Sequence, residues 1–215
     1  PEHTGVYPWK VLPPPPPPKD EQAPVSAITS PAHGAVFSTT TVLILGTAWD
    51  AGSGVTKVEV GLRDLSTLDE TWHLAEGTAT FKRLFPGLQD WHSYRVRSRA
   101  TDNSGNVETP TSVVDFKIDL PPGPVTNLAA APAPLGTSAT LTWDALAIPD
   151  LAGYRVYDAA GALIATVSTA SHSLTGLTPG GTYTFRFSAV DLAGQEGPKS
   201  ALTFSTPKDS ACSAY

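Results

Sequence analysis

The sequence predicts an all-β protein built from two sandwiches in tandem. One observation is a series of short runs in which apolar and polar residues alternate, separated by Gly, Pro, Asn and Asp at intervals too short for helices. A second is a motif that occurs twice at one internal spacing. Leu88 precedes Tyr94 by six positions, Tyr94 precedes Asp102 by eight, and Gly105 follows that Asp by three; Leu177, Tyr183, Asp191 and Gly194 repeat these intervals. A third is length, since 215 residues suffice to bury two ordinary cores.

Residues 1–22 are expected to form an extended arm and a spacer. Pro13 to Pro18 are six consecutive prolines, which offer no backbone donors and settle into a polyproline II rod of about 3.1 Å per residue. Ahead of the rod, Val6, Tyr7, Trp9, Val11 and Leu12 are too apolar for an idle tail. Such a strand would pair with a sheet edge on another copy or on another surface protein, fold back on its own domain, or be the remnant of a preceding domain. The chain opens on Pro1 and holds no Met, as expected of a processed form or a piece of something longer.

Residues 23–119 carry seven predicted strands, over Val25–Thr29, Thr41–Thr47, Thr56–Leu62, Thr71–Leu74, Thr78–Phe85, Tyr94–Ala100 and Val113–Ile118. Within Tyr94–Ala100 the alternation puts Tyr94, Val96, Ser98 and Ala100 inside and Arg95, Arg97 and Arg99 in solvent. Pro121, Pro122 and Pro124 then stiffen a hinge. Residues 120–208 carry a second set, over Val125–Ala131, Ser138–Trp143, Gly153–Asp158, Leu163–Ser168, Ser171–Leu174, Tyr183–Asp191 and Ala201–Ser205. Residues 209–215 form a tail, whose Cys212 is the only cysteine, so no intrachain disulfide and no Cys-based metal cage is available.

The second half resembles a fibronectin type III domain in "SATLTWD", "DLAGYRVYD" and "LTGLTPGGTYTFRFSAVD". That resemblance implies a core Trp143 and a Leu177/Tyr183 tyrosine corner, with no catalytic role for any of these residues. The first half resembles bacterial immunoglobulin-like modules in "ITSPAHGAVFS", "LGTAWDAGSGVTKVEV" and "YRVRSRATDNSGNVE". It implies a stalk, spacer or accessory domain of a secreted or surface protein. The fold expected is therefore two immunoglobulin-like sandwiches in series behind a polyproline-tethered arm.

Calcium is the sharpest candidate ligand. In such a sandwich the loops after the second and sixth strands share one end, so Asp50 and Asp102 are expected to meet Asn103 and Asn106. Calcium takes six to eight hard oxygens at about 2.3–2.6 Å, which these side chains and loop carbonyls would furnish. The competing account is turn capping, which Asp and Asn favour without any metal, and it applies equally to both copies of the repeated motif. By the same topology Asp144 and Asp191 are expected near Asp119 at the hinge, where a metal would rigidify the pair of domains.

No other cofactor is implied. The five histidines are scattered, and no nucleophile elbow or phosphate-cradling loop is present. Twenty Asp+Glu against 14 Lys+Arg give a net charge of −6, which argues against nucleic acid as partner. No apolar run is long enough to insert in a membrane. Trp72 and Trp91 would stack on sugar rings if exposed. These readings describe a non-catalytic scaffold, adhesive or spacer of an exported bacterial protein, extracellular or at the cell surface and assembling into filaments through its arm. The alternative is a carbohydrate-binding accessory region of a secreted hydrolase.

Overall fold

The computed structural model describes residues 18–208, so the expectations for Val6, Tyr7, Trp9, Val11, Leu12 and Cys212 lie outside the described residues. Its elements are all strands. One sheet orders β1 (Val25–Ser30), β3 (Val42–Trp49) and β6 (Thr80–Phe85) as β1-β3-β6. The sheet facing it orders β2 (Ala35–Phe37), β8 (Val113–Ile118), β7 (Ser93–Asp102), β4 (Val55–Asp64) and β5 (Glu70–Leu74) as β2-β8-β7-β4-β5.

A second pair of sheets follows. β9 (Ala129–Pro132), β10 (Ser138–Thr142) and β13 (Ser171–Thr175) form one, in the order β13-β10-β9. β11 (Leu151–Tyr157), β12 (Leu163–Val167), β14 (Thr182–Asp191) and β15 (Ser200–Ser205) form the other, in the order β12-β11-β14-β15. No sheet mixes strands from the two sets.

Each predicted strand has a counterpart, and β2 is an addition. Three residues are too few to show alternation, and β2 is held by a parallel pairing with β8, Ala35 opposite Phe116 and Phe37 opposite Ile118. β9 starts later than expected because Val125, although buried, packs into the core without joining the ladder.

Alternation decides which side chains enter the cores. In β3, Val42, Ile44 and Ala48 point in while Leu43, Leu45 and Trp49 point out. Each fully buried Val, Ile or Leu contributes about 1.5–3 kcal/mol by leaving water. In the second sandwich Trp143 is buried, its ring 5.4 Å from Tyr154 and 5.1 Å from Phe187, as the resemblance implied. Arg95, Arg97 and Arg99 do face outward, but each is paired, with Asp115, Glu70 and Glu59 respectively.

Candidate metal centre

The repeated motif is one device used twice. The hydroxyl of Tyr94 accepts the Gln89 N–H at 2.8 Å, and that of Tyr183 accepts the Thr178 N–H at 2.7 Å. At the end of each strand the carboxylate holds the turn, Asp102 Oδ1 accepting Asn106 N–H at 2.8 Å and Asp191 Oδ1 accepting Gln195 N–H at 2.7 Å. Gly105 and Gly194 take φ values of +90° and +86°, left-handed backbone that favours glycine. Turn chemistry therefore accounts for one oxygen of each Asp. The second oxygens differ: Asp102 Oδ2 accepts Asn106 Nδ2 at 2.7 Å, whereas Asp191 Oδ2 is buried without a partner.

Around Asp102 the structure gathers three carboxylates. Asp50, at the end of β3, accepts Gly52 N–H at 3.1 Å and Gly54 N–H at 2.7 Å on Oδ2. Asp20 accepts Gln22 N–H at 3.0 Å on Oδ1 and Ser53 N–H at 2.8 Å on Oδ2. One oxygen from each of Asp20, Asp50 and Asp102 lies within 4.8 Å of the others. Asp50 Oδ1 is buried there with no hydrogen-bond partner.

Two of these groups, Asp20 and Asp102, are held toward the ionised form. Backbone N–H donation from Gln22 and Ser53 holds the Asp20 carboxyl below its ordinary value. Burial pushes Asp102 up and the Asp20 charge adds to that, yet the hydrogen bonds from Asn106 and Ser104 outweigh both and leave it lowered. Three hard, anionic oxygen donors in one small volume suit calcium, with loop carbonyls and water completing its shell.

Asp50 and Asp102 meet, as their loops predict, and Asp20 joins them from the segment behind the prolines. Asn103 and Asn106 border the cluster as donors. The Asn103 amide donates to the Ser53 and Gly54 carbonyls, and that of Asn106 to the Asp20 and Gln22 carbonyls. Asp144 is taken up by Thr126 and Asn127. The Asp that is buried near Asp119 and Asp191 is instead Asp150.

The aromatic candidates are separated. Trp72 on β5 lies over Gly61, with the Arg99 guanidinium 4.1 Å from its ring centroid. Trp91 precedes β7, with the Lys117 ammonium 3.0 Å from its ring. His92 Nδ1 meets Asp64 Oδ2 at 2.7 Å, but no Ser, Thr or Cys among the described residues hydrogen-bonds that imidazole. A surface depression of the first sandwich is open to solvent and lined by Leu45, Glu76, Gly77, Thr80, Phe81 and Lys82. Its Glu76 and Lys82 pair with each other at 3.1 Å, and both are exposed.

Two β-sandwiches in series, with acidic clusters in their loops, define the class of protein, and no catalytic group is assembled among the described residues. Comparison with known families is specific: residues 24–81 match the bacterial Ig domain and residues 123–205 match the fibronectin type III domain. The order is the one implied by the motifs.

Among curated proteins, the chain is 34% identical over 131 residues to exoglucanase B of Cellulomonas fimi, covering 57% of this chain and 12% of that protein. It is 32% identical over 171 residues to endoglucanase B of the same organism, covering 73% and 16%. To chitinase A1 of Niallia circulans it is 32% identical over 124 residues, covering 54% and 17%. The chain thus spans less than a fifth of each of these relatives. A two-domain fibronectin type III segment of chicken tenascin aligns over 86% of this chain and 100% of its own, at 15% identity and a TM-score of 0.44.

Proposed function

We propose that the chain is a non-catalytic, extracellular spacer in an exported bacterial glycan-degrading protein, two stiff sandwiches that set the separation between the parts on either side. One observation carries this reading: the kinship with two glucanases and a chitinase is confined to 12–17% of each. The filled cores support it, because a sandwich whose inward side chains interdigitate has no enclosed cleft for substrate. The Asp20, Asp50 and Asp102 cluster is its calcium site, which would pin the segment that follows the prolines to the first sandwich.

A second reading is direct contact with polysaccharide, and it rests on Trp49, 68% exposed beside Val25 on the outer face of the β1-β3-β6 sheet. Depletion of the full chain by insoluble cellulose and chitin separates the two. The spacer stays in solution. Retention that is lost in Trp49→Ala, or in Trp72→Ala and Trp91→Ala, would replace the spacer with a glycan-binding module. Sedimentation of the full chain beside a version lacking residues 1–12 tests the self-assembly role of the arm, which predicts a larger species that the truncation dissolves.

A further inference from the structure

We infer that Asp119, Asp150 and Asp191 form a second calcium site, at the junction of the two sandwiches. All three are buried, Asp150 completely. Both Asp150 oxygens, Asp119 Oδ1 and Asp191 Oδ2 lack a hydrogen-bond partner. An ionised carboxylate without partner or solvent is costly, whereas burial beside a cation is the ordinary resolution.

The backbone brings these groups together. Leu151 pairs with Asp191, and Leu192 N–H donates to the Asp150 carbonyl at 2.8 Å, so Asp150 and Asp191 end adjacent strands. Gln195, whose N–H caps Asp191, reaches across with Nε2 to the Asp119 carbonyl at 3.0 Å. Asp90 approaches from the first sandwich, where Oδ1 accepts Leu120 N–H at 2.8 Å. Gly197 lies against the Pro122 carbonyl, a contact a Cβ would block, so the linker runs close to the second sandwich.

Charge balance points the same way. Asp90, Asp119 and Asp191 all lie close enough to Asp150 for their charges to act on it. The one ammonium within 4 Å among the described residues is Lys117, 3.6 Å from Asp119 Oδ1. Calcium accepts several oxygens at variable geometry and supplies the missing charge. Asp119, Asp150 and Asp191 do not form a set within the 4.8 Å envelope that holds Asp20, Asp50 and Asp102, so the ion would draw the three together across the junction and stiffen the hinge.

The test uses the full chain carrying Asp50→Asn, which disables the other cluster, and compares it with Asp50→Asn/Asp150→Asn. Each is stripped with chelator and titrated with calcium up to about 10 mM, within the range of weak extracellular sites. Calorimetry is expected to show one binding event in the first protein and its loss, or at least a tenfold weakening, in the second. The chelated proteins should rank the other way, with Asp150→Asn raising the melting temperature by removing an unpartnered charge. X-ray scattering should show the Asp50→Asn chain becoming more rigid with calcium. Identical titrations in the two proteins, or no calcium binding to the Asp50→Asn chain, overturn the proposal, and the second result needs no folded Asp150→Asn variant. Neither outcome depends on whether the chain is a spacer.

Discussion

Replacing Glu196 by Gln isolates the most strongly perturbed carboxylate among the described residues. Glu196 Oε1 accepts Ser188 Oγ at 2.6 Å and the Tyr157 hydroxyl at 2.7 Å, and Oε2 accepts Arg155 Nη1 at 2.7 Å. Burial pushes the carboxyl up, but these donors and the Lys199 charge hold it at about 2, against an ordinary 4.5. A depressed folded value contributes stability that is complete above 4.5 and disappears as pH falls through about 2. At about 1.4 kcal/mol per pH unit, that interval sets a ceiling of about 3 kcal/mol. The side chain is 24% exposed, and solvent screening reduces the expected figure to about 1–2 kcal/mol.

Amide exchange in β11 and β14, followed from pH 7 down to about 2, reads the second sandwich within the full chain. The native protein should exceed Glu196→Gln in stability at neutral pH, and the difference should close across the acid window. A constant difference at every pH would falsify the assignment of the low pKa to this network. Gln keeps the volume of the side chain, so packing does not confuse the comparison.

Two further substitutions probe the first sandwich. Glu108 is buried and accepts Ser26 N–H at 2.8 Å, Ala100 N–H at 2.9 Å and Ser26 Oγ at 2.5 Å. Glu108→Ala orphans two backbone donors between β1 and β7, and urea titration should show a loss of about 3 kcal/mol or more; a loss under about 1 kcal/mol means that water replaces the carboxylate. Gly46→Ala drives a methyl into the Phe81 ring and the Ala27 carbonyl and should cost about 2 kcal/mol. Gly123→Ala, with nothing near its added methyl, should be close to neutral in the same titration, and equal losses at the two glycines would remove the steric explanation.

The strands were legible because each sandwich half-buries its sheets, and a half-buried strand must alternate. The turn of the repeated motif was legible because Tyr, Asp and Gly are each required at a fixed distance from the others. Asp20 carried no such signal. It belongs to a segment without periodicity and reaches the cluster through Ser53, a partner 33 positions away. Asp144 and Asp150 follow the same strand, and composition does not reveal which turns inward; the hydrogen bonds of Thr126 and Asn127 decide it. The cations beside Trp72 and Trp91 were likewise hidden, since Arg99 and Lys117 reach those rings from other strands.

The parallel pairing of β2 with β8 has a mechanical consequence. These strands lie near opposite ends of the first sandwich's sequence, and the Gly34 N–H to Asp115 carbonyl and Asp119 N–H to Phe37 carbonyl bonds bracket them. Once β1 has peeled from β3, tension applied through the two ends of that sandwich pulls β2 and β8 past one another and strains all of these bonds together. In the second sandwich β9 pairs with β10 and β15 with β14, both antiparallel. Its terminal strands peel away one bond at a time, so force spectroscopy on the full chain is expected to show the second sandwich unfolding at lower load than the first.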